Sequence, residues 1–530
     1  MMKTNFGNFK INKEYWFLAF VILLHILVRA QSAFLDLPPF SFFDEIIYAQ
    51  NAYGMFLDRN MIPPQQSLAG GFTYYVCYFA TKLYSLFFGR DISVVQSAII
   101  SRFALILISC LMPLFIYKSL KLLNVNGAIA VLAAGISSVS PESLALTRVV
   151  YPDHFMPGLI AALTYFVIKF IKDDGRIKHL IVLGVLLGLI FSTKYSGFLL
   201  TVPISVLILH ESLGRSGSLF GDMKQGLVKI LLVFGIASAI FALLNISGIM
   251  AGDVLWAIEG HHNHYKGGHL MAQTDQGVLF YSKILFLLSF GILGMPLIIG
   301  GFLPLWAKER KVFVFFALVI GLYLFTLGTY RVVFSRNISQ LLPMVFILMG
   351  LSLGFCAAWL GNHLKFGGKS ALWVVGLPCL FVLSVEPLAR SYIQLDYDFR
   401  VDSRIAANHW LLENTGIEDK IGFVHGTWGA PYVDRKNKVI INLPSDPNQF
   451  KDVKFYVVDG WTVDYLEQGT SMFSFIPFSD HQFVNISQAK YPDLVAGHKK
   501  FLEQYELVQE FSNEDYYGPS VYVYKRNGFN

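Results

Sequence analysis

Along the first 390 residues, apolar runs of membrane-spanning length alternate with short polar loops, and basic residues gather in every second loop. A helix needs about 20 apolar residues to cross a bilayer, and Lys and Arg concentrate on the cytoplasmic side. Residues 15–34 therefore cross outward from a tail carrying Lys3, Lys10 and Lys13. This run has no small-residue cleavage site and reads as an uncleaved first span. Residues 45–57 read as an amphipathic helix, and 72–88 as an aromatic-rich segment on the outer surface. The run 94–120 returns to Lys118 and Lys121, 128–146 goes out to Arg148 and Asp153, and 155–171 returns to Lys172, Arg176 and Lys178. The apolar stretch 180–210 is too long for one span and is interrupted at 192–197, so two short spans are expected to meet at Lys194. Residues 230–250 and 312–330 cross outward, 282–303 and 338–360 inward, and 371–388 make the last outward crossing. The pattern predicts about eleven crossings with a cytoplasmic amino terminus.

Beyond Arg390 the pattern changes, because charged and polar positions now alternate with short strand-like runs at 421–425, 455–459 and 517–524. A helix is expected over 404–414, ending before Gly416. The chain thus divides into a polytopic all-α membrane domain over residues 1–390 and an extracytoplasmic α/β domain over 391–530. The second part, about 135 residues, is large enough for its own core.

Composition narrows the class without changing this map. Of 530 residues 54% are hydrophobic and 15% charged, which favours a polytopic membrane protein over a soluble enzyme. The net charge of +6 fits basic cytoplasmic loops and is not read as nucleic-acid binding. The four cysteines lie in apolar surroundings without metal-like spacing and receive no role.

Candidate chemistry collects on the outer side of the map. Asp44 and Glu45 follow the first span. Asp44 reads equally as a general base taking a proton from an attacking hydroxyl and as a solvated loop acid. Asp153, in Tyr151-Pro152-Asp153, is either a substrate-orienting acid or a helix N-terminal acid favoured by the dipole. Lys194 is either a point charge for a phosphate or a snorkelling lysine. Tyr48 and Tyr195 stand beside these acids and this base and join the substrate-binding candidates. Four histidines fall within nine residues at His261, His262, His264 and His269, with Tyr265 among them. They suit hydrogen bonds to phosphate or sugar hydroxyls; a divalent metal is the lesser reading, since the loop lacks a zinc-like spacing. Arg331 and Arg336 flank a span end and suit a phosphate or pyrophosphate, or an interfacial anchor.

The order of these motifs relative to the spans carries a family resemblance. Asp44-Glu45, Tyr151-Pro152-Asp153, Thr193-Lys194-Tyr195-Ser196-Gly197, and Asp402-Ser403-Arg404 before the 406–414 helix resemble the GT-C glycosyltransferases. Within them the chain is similar to the protein O-mannosyltransferase and lipid A aminoarabinose transferase group. The resemblance implies a polyprenyl-phosphate-linked sugar donor and a lipid, glycan or protein acceptor at the outer face of the cell membrane. It makes Asp44 the catalytic acid, with Glu45 its neighbour and Asp153 the second loop acid. Sugar transfer would be a direct displacement with inversion, and cationic residues at the phosphate would replace a strong general acid. A transferase or polymerase using a pyrophosphate-linked oligosaccharide is the nearest alternative. A transporter should display paired inverted halves with broken helices, and neither is evident.

Overall fold

The computed structural model describes residues 13–30, 32–34, 43–61, 70–89, 91–145, 150–213, 218–252, 276–288, 294–330, 335–363, 400–424, 438–441, 452–460, 499–512 and 520–528, with isolated positions at 259–266, 385–396, 463, 496 and 515–516. The first part is helical. It runs α1 (Lys13–Ala30), α2 (Phe43–Leu57), α3 (Gly71–Phe88), α4 (Val94–Ser109), α5 (Leu111–Leu122), α6 (Gly127–Ser138), α7 (Pro141–Ala145), α8 (Pro152–Lys172) and α9 (Ile177–Thr193). It continues with α10 (Thr201–Ser212), α11 (Leu219–Leu244), α12 (Ile246–Met250), α13 (Gly277–Lys283), α14 (Gly294–Lys308), α15 (Arg310–Gly328) and α16 (Leu342–His363). Among the described residues six helical stretches are long and apolar enough to cross a membrane, and three shorter apolar helices accompany them. The protein is a multi-pass membrane protein.

Local chemistry explains where helices begin. Ser93 caps α4 through a reciprocal box, its hydroxyl accepting from the Gln96 N–H at 3.2 Å while the Gln96 side chain accepts from the Ser93 N–H at 2.8 Å. Asn126 caps α6 and Ser218 caps α11. At α8, Pro152 supplies the first helical residue, where its missing N–H costs nothing, and it holds Tyr151 extended.

Burial separates pillars from periphery. α8 and the stretch Arg336–Leu360 are each 78% buried in their most apolar window, whereas Leu219–Leu244 is only 11% buried. α11 rests on α9 through small residues: a Cβ at Gly184 would lie 2.8 Å from the Val233 carbonyl, and one at Gly188 would lie 2.8 Å from the Ala237 carbonyl. The register advances together on both helices, so α9 and α11 run parallel, as the alternation of spans requires.

Three expectations need adjusting. The run 94–120 is two helices meeting at Cys110, because Pro113 has no N–H to give the Ser109 carbonyl. The apolar run 282–303 is likewise composite: α13 passes into a π-helical turn at Ile284–Leu288, and α14 begins at Gly294. α11 starts at Leu219, well before residue 230, and takes Lys224 and Lys229 into the helix. The proposed last crossing at 371–388 lies almost wholly outside the described residues.

The C-terminal part forms α17 (Ser403–Asn414) and a five-stranded sheet of β1 (Ile421–Val424), β2 (Lys438–Ile441), β3 (Phe455–Asp459), β4 (Tyr505–Phe511) and β5 (Val521–Arg526). The strand order is β2-β1-β3-β5-β4. β1 pairs in parallel with β2 and β3, while β3/β5 and β4/β5 are antiparallel. β3 is buried along its whole length. Its Phe455 and Val457 pack with Ala407 and Leu411 of α17, and its Tyr456 and Val458 pack with Phe501 and Tyr505 on the other face. A central strand covered on both sides reads as a continuous apolar run, which is why it was visible in the sequence.

Candidate active site

Glu45 sits in the first turn of α2, fully buried, and is held as a structural ion. Its Oε1 accepts from Arg102 Nε at 2.7 Å and its Oε2 from Arg102 Nη2 at 2.8 Å. The same Oε1 accepts the Val150 N–H at 2.8 Å, and Arg102 donates a further bond to the Ala33 carbonyl at 3.3 Å. One carboxylate therefore ties α2 and α4 to the segment that carries Tyr151-Pro152-Asp153. The fork-on-fork geometry of arginine with carboxylate makes this joint directional. Asp44 precedes Glu45 in the same helical turn; its side chain lies outside the described part of the structure. Arg102 was not among the candidates.

Asp153 is fully buried in the first turn of α8. Lys194 donates to Asp153 Oδ1 at 2.7 Å, to Oδ2 at 2.9 Å, and to Asn337 Oδ1 at 3.0 Å. An ammonium has three protons to give, so these contacts account for its hydrogen-bonding capacity. The lysine reaches this position because α9 ends at Thr193 and Lys194 is extended before a 3₁₀ turn at Tyr195–Leu200. Gly197 permits that reversal: a Cβ there would stand 2.5 Å from Ile190 Cγ2. Gln340 donates to Ser196 Oγ at 2.6 Å and Tyr323 to the Ser196 carbonyl at 2.9 Å, pinning the turn to the 3₁₀ segment Ser335–Leu341 and to α15. Asn337 also donates to the Tyr281 hydroxyl at 3.3 Å.

Lys194, Ser196 and Asn337 border a cavity of about 690 Å³. Tyr48, Tyr151, Lys194, Tyr195, His262, Tyr330 and Asn337 supply its polar and aromatic part. Phe198, Leu199, Val202, Leu322 and Leu327 supply an apolar wall from α10, the turn before it and α15. Tyr151 stands edge-on to Tyr48 at 5.8 Å, and the Arg336 guanidinium lies 4.8 Å from the Tyr151 ring centre. The structure thus brings together Glu45, Tyr48, Asp153, Lys194, Tyr195 and Arg336 from segments remote in sequence. His261, His264, Tyr265, His269 and Arg331 lie outside the described residues; their neighbour His262 does reach the cavity, 6.1 Å from Tyr330. Among the described residues no group of three or more His, Cys, Asp or Glu could hold a metal ion. Arg102, Tyr151, Asn337 and Tyr330 are the additions. Of these, Arg102 carried a signal, being a lone charge inside an apolar run.

Residues 76–243 match the family model for dolichyl-phosphate-mannose-protein mannosyltransferase, a segment that contains Arg102, Asp153 and Lys194. No curated protein matches by sequence. Among solved structures, ArnT from Cupriavidus metallidurans in the apo state is similar at a TM-score of 0.51 and 14% identity, with 96% of this chain and 97% of that chain covered. The Archaeoglobus fulgidus oligosaccharyltransferase is similar at 0.51 and 12% identity, covering 94% of this chain and 72% of that one. The S. cerevisiae protein O-mannosyltransferase Pmt1-Pmt2 complex matches 45% of this chain and 34% of its own chain at 16% identity, with a TM-score of 0.38. At such identities the whole-chain likeness is one of fold. The family match covers residues 76–243 only, and over its length the chain is similar to the fold that the ArnT and oligosaccharyltransferase structures share.

Proposed function

We propose that this enzyme moves a sugar from a polyprenyl-phosphate donor to an acceptor hydroxyl, with inversion, on the extracytoplasmic side of the cell membrane. Residues 1–390 are the transferase domain and 391–530 an extracytoplasmic domain above it. The observation that carries the reading is the meeting of two environments in one cavity: Lys194, paired with the buried Asp153, and Asn337 line it together with an apolar wall whose Phe198 and Val202 are also exposed on the bundle surface. A donor with a charged head and an isoprenoid tail needs that junction. Such a tail enters sideways from the bilayer between α10 and α15. A similar fold, that of ArnT, has been solved with undecaprenyl phosphate bound.

In the proposed reaction the acceptor oxygen attacks the anomeric carbon as the bond from that carbon to the phosphate oxygen breaks. Polyprenyl phosphate leaves with the bonding pair, and Asp44 takes the acceptor's proton. Because Lys194 already serves Asp153 and Asn337, a direct phosphate bond from it requires one of those contacts to yield. Arg336, with Arg331, is the better first contact for the phosphate, and Lys194 adds its field while holding Asp153 in place. Tyr48, Tyr195 and His262 line the path for sugar and acceptor, and His261, His264, Tyr265 and His269 are the loop residues assigned to hydrogen-bond them.

A pyrophosphate-linked oligosaccharide donor is the second reading, favoured by the likeness to the oligosaccharyltransferase fold. Single-turnover assays with monosaccharides on polyprenyl phosphate and oligosaccharides on polyprenyl pyrophosphate distinguish them. Transfer is expected from the monophosphate lipids; transfer confined to the pyrophosphate lipids would establish the alternative.

A further inference from the structure

The end of the bundle opposite the cavity carries a second constellation that sugar transfer does not use. α8 runs from Asp153 at the cavity to Lys169 near its other end, about 24 Å away at the helical rise. There Lys118 of α5 and Lys169 of α8 converge on one ring, 5.9 Å and 5.7 Å from the centre of Tyr165. Lys118 lies 5.2 Å from Phe115 as well. The rings form a continuous ledge, with Phe115 and Tyr165 centred 5.2 Å apart, Tyr165 and Phe166 5.0 Å apart, and Phe115 and Phe166 6.1 Å apart. Lys118 is exposed, while Lys169 and the three rings are half-buried.

Three other bases at this end are matched by acids. Lys121 pairs with Glu14 at 3.2 Å, Lys311 with Glu211 at 2.7 Å, and Lys172 with Glu309. Asp173, one turn beyond Lys169, is engaged by His179 at 2.8 Å. That hydrogen bond, with the charges of His179, Arg176 and Lys169, holds Asp173 below the usual carboxylate range. Snorkelling explains one lysine reaching for water. It does not explain why two ammonium groups from different helices are brought to 5.9 Å and 5.7 Å from one ring centre. Cation–π attraction holds each ammonium at the ring, and an anion within reach of both would add to it. A phospholipid offers a phosphodiester for the ammoniums and acyl chains for the ring ledge, the pairing by which basic pockets between membrane helices hold anionic headgroups.

We propose that Lys118 and Lys169, with Phe115, Tyr165 and Phe166, bind one anionic phospholipid in the leaflet at this end of the bundle. The test is native mass spectrometry of the full chain in detergent, titrated with phosphatidylglycerol or phosphatidylcholine. The wild type should retain one phosphatidylglycerol about thirtyfold more tightly than phosphatidylcholine, the scale expected of two basic contacts at a membrane surface. Lys118→Gln/Lys169→Gln should erase that preference with an unchanged unfolding temperature, and Lys308→Gln, at the same end but outside the ledge, should keep it. Lys118→Gln alone, at an exposed position, should weaken the preference even if the double variant folds poorly. Equal retention of the two lipids, or an unaltered preference in the Lys118→Gln protein, would overturn the proposal. Displacement of the lipid by millimolar inorganic phosphate would also overturn it, by reassigning the site to the free anion.

Discussion

The residue that most changes the picture of the site is Arg102. Glu45, expected as the neighbour of Asp44, is locked in a buried bidentate pair, and through Val150 it sets the position of the Tyr151-Pro152-Asp153 turn. Removing one member of a buried pair strands the other charge, so Arg102→Leu should cost about 3 to 5 kcal/mol of stability. Glu45→Leu/Arg102→Leu should recover much of the folded protein, measured by thermal unfolding in detergent, yet remain inactive because nothing then holds Val150. A double variant with normal transfer would contradict the positioning role. The same physics separates the cations at the cavity. Lys194→Met should lower stability by a similar amount, about 3 to 5 kcal/mol, because Asp153 would be left buried and unpaired. Arg336→Gln should mainly raise the apparent KM for the lipid donor, by the equivalent of about 1.5 to 3 kcal/mol for a lost charge-assisted hydrogen bond. An unchanged donor KM in the Arg336 variant would make that residue an interfacial anchor. Arg102 stood in plain view in the sequence, but periodicity alone treats a lone arginine as an interruption of an apolar run. Its partner, 57 positions away, becomes apparent only when α2 and α4 are folded together.

At the level of elements, the legible parts were those whose pattern is local. α8 and α15 follow from length and apolarity, the paired spans around Lys194 from an interrupted run, and β3 from an unbroken apolar stretch. β4 was missed because Tyr505–Phe511 carries Glu506, Gln509 and Glu510, and an edge strand with a half-solvated face resembles a loop. The close approach of α9 to α11 was equally hidden, since Gly184 and Gly188 are unremarkable in an apolar helix until the neighbouring backbone is seen. A Cβ at Gly188 would stand 2.7 Å from Ile240 Cβ as well as 2.8 Å from the Ala237 carbonyl, and backbone cannot give way as a side chain can. Gly188→Ala should therefore lower stability by about 1 to 3 kcal/mol through overpacking. Gly235→Ala, where a Cβ meets nothing within 4 Å, is the control and should be neutral or slightly stabilising in the same unfolding assay.

For the whole molecule, the alternation of spans has a counterpart in the way side chains sort by end. Asp153, Lys194 and Asn337 meet at one end of the bundle, while Lys121–Glu14, Lys172–Glu309 and Lys311–Glu211 close the other. The proposal that the basic end is cytoplasmic is tested with a single cysteine at Ser479 in a background lacking the native cysteines. A membrane-impermeant maleimide should label it from outside, and protection until the membrane is opened would put the C-terminal domain on the opposite face. The central claim is chemical, and it is tested most directly by single-turnover transfer from a purified polyprenyl-phosphate sugar, using the full chain reconstituted in vesicles and its Asp44→Asn variant. The amide keeps the size and an acceptor oxygen of the acid but cannot take a proton at neutral pH. The wild type should transfer the sugar, and Asp44→Asn should be about 100-fold to 10,000-fold slower with donor binding retained; wild-type inactivity toward the monophosphate donor, or a variant that turns over normally, would contradict the account.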